Sequence, residues 1–164
     1  MASRVEDYAL IGDCRSAALV GRDGSIDWLC WPRFDSQACF AALLGTPDHG
    51  RWLIEPASGK IATRRRYRGK TFILETDFET GDGAVTLIDF MSMDGERQDL
   101  IRAVVGRSGR VAMQSELVIR FGYGDVFPWV NRLEDGTLRA IAGPDQLALR
   151  TAAPLRGEDF KTIS

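Results

Sequence analysis

The sequence predicts an all-β fold, mainly antiparallel: a β-sandwich with one short helix near residues 37–44. Three observations carry that expectation. Turn signals such as Asp-Gly and Gly-Pro-Asp recur at intervals of roughly eight to twelve residues. The segments between them alternate apolar and polar side chains with a period of two. Apolar residues fall at helical spacing in one stretch only, around Phe40, Leu43 and Leu44.

Taken in order, Tyr8-Ala9-Leu10-Ile11-Gly12-Asp13 reads as a short extended segment ending in a turn. Ser16-Ala17-Ala18-Leu19-Val20 reads as a strand of small residues. Arg22-Asp23-Gly24-Ser25 reverses the chain, because glycine supplies the positive φ of a tight hairpin. Ile26 to Trp31 returns as a strand, and Pro32 ends it because proline cannot donate to a sheet ladder. Strict alternation sets Trp28 on one face with Ile26 and Cys30, and Asp27 on the other with Leu29 and Trp31. Ser36 has the hydroxyl of an N-cap for the amides of Ala38 and Cys39, and Gly45 is a helix stop. A helix this short has to be held by packing rather than by propensity.

Beyond Thr46-Pro47-Asp48-His49-Gly50 the pattern is strand-like throughout. Strands are expected over Arg51–Pro56, Ile61–Tyr67, Thr71–Phe78, Ala84–Met91 and Leu100–Val105. Phe72, Leu74, Thr76 and Phe78 share one face of the third of these, which places Phe72 in the core. Met113, Ser115, Leu117, Ile119 and Phe121 alternate with Gln114, Glu116 and Arg120. Gly81-Asp82-Gly83, Asp94-Gly95, Asp135-Gly136 and Gly143-Pro144-Asp145 are turns, the last two framing short strands at Thr137–Ile141 and Gln146–Thr151. No repeat or internal boundary interrupts the pattern, so residues 1–164 are expected to form a single domain.

Composition narrows the function. The chain is 45% hydrophobic and 27% charged, with a formal net charge of -2. That balance argues against nucleic acid as a partner, which calls for a strong basic excess. No apolar run is long enough to span a bilayer, so no membrane partner is expected. The N-terminus lacks the basic and apolar regions of a signal peptide, which points to a cytoplasmic protein. Cys14, Cys30 and Cys39 are an odd set without CxxC spacing and read as reduced thiols. With His49 as the one histidine, neither a histidine metal site nor a histidine relay has material to work with. No phosphate loop, zinc cluster or nucleophile elbow is present.

Asp27, Trp28, Trp31, Arg33 and Asp35 stand out as a candidate sugar-facing loop. Tryptophan stacks on the apolar face of a pyranose, while carboxylates and guanidinium groups bind hydroxyls in fixed geometry. The competing reading makes Trp28 and Phe34 core residues and Arg33–Asp35 a pair that holds a turn. Arg64-Arg65-Arg66-Tyr67-Arg68 reads as a solvated or salt-bridged sheet face, with Arg64, Arg66 and Arg68 pointing one way and Arg65 and Tyr67 the other. Asp77, Glu79, Asp89 and Asp94 have no spacing that fixes a catalytic pair. Trp129, beside Phe127 and Pro128, is a candidate interface residue.

The run Ile11-Gly12-Asp13-Cys14-Arg15-Ser16-Ala17-Ala18-Leu19-Val20, then Asp23 to Ser36, then Phe40-Ala41-Ala42-Leu43-Leu44, resembles the N-terminal domain of bacterial glycoside hydrolase family 15 proteins, the glucoamylase-like and trehalase-like enzymes. Arg65-Arg66-Tyr67-Arg68, Leu74-Glu75-Thr76 and Leu87-Ile88-Asp89-Phe90-Met91 extend the likeness over most of the chain. The resemblance implies a supersandwich-like domain followed by a catalytic (α/α)6 barrel that carries two glutamates and inverts the anomeric centre. Such a barrel needs about 200 residues of its own, and the strand pattern already occupies this chain. The barrel and its glutamates are therefore expected to be absent here. The resemblance implies a non-catalytic domain that braces the barrel, with Asp27, Trp31, Arg33 and Asp35 at the substrate rim or the interdomain contact. The enzyme it would serve hydrolyses an α-glucoside such as trehalose or a maltooligosaccharide and needs no cofactor or metal. A homo-oligomer of the isolated domain is a further expectation, and an independent carbohydrate-binding module is the rival reading.

Overall fold

The computed structural model describes residues 4–93, 97–158 and 161–163. Its strands are β1 (Ala9–Gly12), β2 (Ala17–Val20), β3 (Ser25–Cys30), β4 (Ala38–Phe40), β5 (Arg51–Pro56), β6 (Ala62–Tyr67), β7 (Leu74–Thr80), β8 (Gly83–Met91) and β9 (Leu100–Gly109). They continue as β10 (Met113–Val118), β11 (Trp129–Arg132), β12 (Leu138–Ala142), β13 (Asp145–Leu149), β14 (Arg156–Glu158) and β15 (Lys161–Ile163). One sheet runs β1-β2-β3-β5-β10-β15-β14 with β4 also on β3, a second runs β6-β7-β8-β9, and β11-β12-β13 form a separate meander. The pairings are antiparallel. The expected turn at Asp94-Gly95 lies outside the described residues.

The first two sheets close on each other. Ile11, Val20, Ile26, Leu29 and Phe40 of the first pack with Leu74 and Met91 of the second. Ile54 packs with Phe78, Val85 and Leu87 in an adjoining cluster. The meander lays Leu147 and Leu149 against the same core. This is an all-β sandwich.

The expected helix is replaced. Ala38–Phe40 is a strand on β3, with Leu29 opposite Phe40 and Cys30 opposite Ala38. Only Ala42–Leu44 turns, as a single 3-10 turn that leaves Leu44 exposed. The Ser36 hydroxyl accepts the Arg33 amide at 3.1 Å instead of capping a helix. Ala38, Cys39, Phe40 and Ala41 are all buried, and burial of consecutive residues on both faces overrides a helical spacing built from three side chains.

Strict alternation also fails in β3. Val20 pairs with Ile26 and Leu19 with Trp28, so Asp27 is the extra residue of a β-bulge. Beyond the bulge Leu29 joins Ile26 in the core, while Trp28 is half-buried beside Cys30. In β7 the alternation holds for Leu74, Thr76 and Phe78, all buried. Phe72 does not follow it: it precedes the strand, is 55% exposed, and meets Tyr67 edge-on. Arg120, expected on the solvent side, is buried with its guanidinium over the Phe127 ring.

A buried ion pair ties the two sheets. Asp89 of β8 faces Arg102 of β9, and both side chains are 0% exposed. Arg102 Nε donates to Asp89 Oδ1 at 2.8 Å. Its terminal nitrogens donate across the sandwich to the carbonyls of Trp52 and of Gly24, the latter at 2.6 Å. Gly24 is required at that crossing: it sits at φ +89°, and a Cβ there would lie 2.2 Å from the Ile54 carbonyl.

Two measurements check these assignments. Arg102→Met leaves Asp89 charged and unpaired, and denaturant unfolding is expected to show a loss of about 3–5 kcal/mol. The double variant Arg102→Met/Asp89→Leu is expected to lose less. Phe72→Ala is expected to cost under about 1 kcal/mol, whereas Phe78→Ala, fully buried, costs about 3–5 kcal/mol.

Candidate functional site

The loop after β3 begins at Trp31, whose peptide bond to Pro32 is cis. Its fixed point is Asp13. Asp13 Oδ1 accepts the amides of Arg15 at 2.9 Å and Ser16 at 2.7 Å, an Asx turn that shapes the connection between β1 and β2. Asp13 Oδ2 accepts Gln98 Nε2 at 2.9 Å, and the same nitrogen donates to the Pro32 carbonyl at 2.6 Å. The Phe34 amide donates to the Arg15 carbonyl at 2.9 Å. Two turns and the approach to β9 are thereby pinned side by side.

Between them opens a cleft of about 570 Å³ lined by Cys14, Arg15, Pro32, Arg33, Phe34, Asp35 and Gln98. Arg33 grips Asp35 bidentately, Nε to Oδ1 at 2.8 Å and Nη2 to Oδ2 at 3.2 Å. The Arg33 hydrogen bond holds the Asp35 carboxyl below its ordinary range, and Asp35 in return raises Arg33. Phe34 stands 63% exposed at the mouth. The cleft thus offers a fixed ion pair, the Arg15 guanidinium and an aromatic face, groups that suit a hydroxyl-rich ligand.

The residues singled out in the sequence divide. Arg33 and Asp35 meet in the cleft. Trp31 is half-buried and packs on the core cluster instead of lining the cleft. Asp27 lies apart in β3: Tyr8 Oη donates to its Oδ2 at 2.6 Å, and the Ser25 hydroxyl donates to its Oδ1. Trp129 sits on the meander, 79% exposed. The sequence reading passed over Asp13, Arg15 and Gln98. The Asp13 spacing to Arg15 and Ser16 is a recognisable Asx-turn signal, but Gln98 is 66 positions from Pro32 and carries no local signature.

A family model described as trehalase-like, N-terminal, matches residues 1–155. The chain belongs to this family. A trehalase of Mycolicibacterium smegmatis is 34% identical over 89 residues, covering 54% of this chain and 13% of its own length. Trehalase 1 of Sulfolobus acidocaldarius is 32% identical over 132 residues, covering 80% of this chain and 22% of its own. A trehalase of Thermoplasma volcanium is 27% identical over 160 residues, 93% of this chain and 25% of its own. The chain therefore spans 13% to 25% of the length of these relatives. No solved structure matches it significantly.

In this trehalase-like N-terminal domain the buried carboxylates serve the fold. Asp89 is held by Arg102, Asp27 by Tyr8 and Ser25, and Asp13 by two amides and Gln98. Glu75 is bound by Arg68 at 2.7 Å and by Arg66 at 2.6 Å, so two of the three arginines expected on one face are salt-bridged to β7. No helix among the described residues is long and apolar enough to cross a membrane.

Acid pH tests the Asp13 anchor. Burial acts to raise its pKa, but the bonds from Ser16, Gln98 and Arg15 prevail and hold it below the ordinary 3.8. The unfolded chain then takes up the proton first, so the anchor stabilises the fold above that value and loses its effect as pH falls through the folded pKa. Urea midpoints are expected to fall on the acid side of pH 4. Asp13→Ala is expected to lower the neutral midpoint and to make the acid decline shallower.

Proposed function

We propose that this domain is a non-catalytic N-terminal sandwich of a glycoside hydrolase family 15-type enzyme, bracing a catalytic (α/α)6 barrel. The single observation that carries this is the match of residues 1–155 to an N-terminal family whose trehalase relatives extend far beyond the matched part. The chemistry of the domain agrees. Glycoside hydrolysis calls for two carboxyl groups facing one bond, with one free to hold a proton. Here Asp89, Asp27, Asp13 and Glu75 are each committed to cations, hydroxyls or amides of the fold.

The barrel would carry out inverting hydrolysis of an α-glucoside, trehalose or a maltooligosaccharide, with acid, base and water. The cleft beside Arg33 and Asp35 would form part of its rim: the ion pair is preformed, exposed and tied to the core through Asp13 and Gln98. Trp31 would act from beneath, as packing for that loop. Asp27, apart from the cleft and with both oxygens bonded to Tyr8 and Ser25, would serve the fold rather than the rim. A reducing, cytosolic setting suits the three free thiols, two of them buried.

The 164-residue chain is expected to release no glucose from trehalose or maltose above background; robust turnover abolished by changing one of its carboxylates would overturn this reading. In a full-length enzyme carrying the domain, Arg33→Ala is expected to lower kcat/KM by about tenfold while the melting temperature stays put. Unchanged kinetics would reduce the loop to scaffolding.

A further inference from the structure

The β11–β13 meander has two unlike faces. Its register places Trp129, Ile141 and Gln146 in one row, and Asn131, Arg139 and Ala148 in the next, all on one side. Val130, Ala140 and Leu147, with Leu138 and Leu149, alternate to the other side. That inner side closes over Leu117 of β10 and Ile119 just beyond it and leaves only about 20 Å³ of space. The outer side carries no covering element among the described residues. Trp129 stands on it 79% exposed, the highest value of any aromatic side chain described.

The outer rows pair an apolar strip with neutral hydrogen-bonding groups. Trp129 and Ile141 are direct cross-strand neighbours, so the indole is flanked by an aliphatic side chain rather than by water alone. Gln146 lies across from Ile141, and Asn131 is two residues along the strand from Trp129. Arg139 Nε donates to Asn131 Oδ1 at 3.3 Å, which turns the Asn131 amide nitrogen toward other partners. That bond leaves the terminal guanidinium nitrogens as further donors. No carboxylate occupies either row.

We propose that this face is a binding platform for a neutral glucose oligosaccharide. Charge decides against the alternatives. One guanidinium, already bonded to a neutral amide, is too little for an anionic polymer, and a cationic partner would meet no acid. A wholly apolar partner would strand the Asn131 and Gln146 amides, at a cost in desolvation. A pyranose answers both halves. Its C–H face covers Trp129 and Ile141, and its hydroxyl edge reaches Asn131, Gln146 and Arg139. The sheet holds these groups on a rigid lattice, with strands about 4.8 Å apart and same-face neighbours about 7 Å apart along a strand. The choice of glucose as the sugar rests on the reading above; the face itself does not. The platform is separate from the Arg33–Asp35 cleft, since the two share no lining residue.

Isothermal titration of the 164-residue chain with maltoheptaose, trehalose and xylohexaose tests it. Maltoheptaose is expected to bind. Trp129→Ala is expected to weaken that binding at least about tenfold with an unchanged melting temperature, Trp129→Phe to retain most of it, and Asn131→Ala to weaken it about threefold. Phe72→Ala, an exposed ring beside Tyr67 and outside both the platform and the Arg33–Asp35 cleft, is expected to leave it unaltered. Absence of maltoheptaose binding, or equal binding by Trp129→Ala, overturns the platform. Xylohexaose binding as tight as that of maltoheptaose, and equally weakened by Trp129→Ala, overturns the glucose assignment. None of these outcomes bears on whether the domain braces a barrel, which the glucose-release and full-length kinetic measurements decide.

Discussion

The arrangement of this sandwich depends on a cation placed where a core residue would ordinarily be. Arg102 enters between the sheets from β9 and is neutralised there by Asp89 of the adjacent strand. Sheet packing by apolar side chains alone is non-directional and leaves the two layers free to slide. The guanidinium removes that freedom, because its donors are fixed in a plane and find the Trp52 and Gly24 carbonyls. Both carbonyls belong to the β3–β5 region, where the first sheet turns the chain toward the loop of Arg33. Gly24 contributes by lacking a side chain, which lets its carbonyl come within reach of the cation and of the Ile54 amide, 3.1 Å away. The position of the loop is thus referred back to a charge in the opposite sheet.

A second set of cross-sheet bonds works at the other margin. Arg65 of β6 donates to the carbonyls of Asp7 at 2.7 Å and Val20 at 3.0 Å. Desolvation lowers its pKa, the mark of a guanidinium drawn off the surface toward backbone partners. Its neighbours Arg66 and Arg68 face away and take Glu75 and Asp77. One basic run therefore performs two tasks that alternate along the strand. The outward residues neutralise β7, and the inward ones fasten the first sheet.

Much of this was legible in the sequence, and the limits have physical causes. The Asp23-Gly24 turn and the alternation through Leu74, Thr76 and Phe78 are local and were readable. So was the alternate facing of Arg64 to Arg68, because a period of two needs only neighbouring positions. Residues 38–44 were misread because a buried edge strand and a short helix both present consecutive apolar residues, and only the pairing partner tells them apart. The faces of Trp28 and Leu29 relative to Ile26 were misassigned because a bulge at Asp27 shifts every later residue by one, and nothing in Ser25-Ile26-Asp27-Trp28 announces it. At the cleft, the Arg33–Asp35 ion pair was readable because its members are two residues apart. Asp13 and Gln98 were not, because their role exists only once distant segments meet. Arg102 sits in an apolar strand pattern and gives no sign that it faces inward.

Tyr67 closes the β1 edge in a way that sets a direction for the whole sheet. Its phenol accepts the Leu10 amide at 3.0 Å and donates to the Leu10 carbonyl at 2.8 Å. One hydroxyl so occupies both backbone groups that a neighbouring strand would use. On a strand as short as Ala9–Gly12, alternate residues turn outward, and this leaves Gly12 as the one remaining outward position. A side chain from the opposite layer has become a stopper. The sheet path that starts at β1 is therefore polar as an assembly: blocked at its β1 end, it leaves β14, among the described residues, as the terminal strand with an unpaired edge.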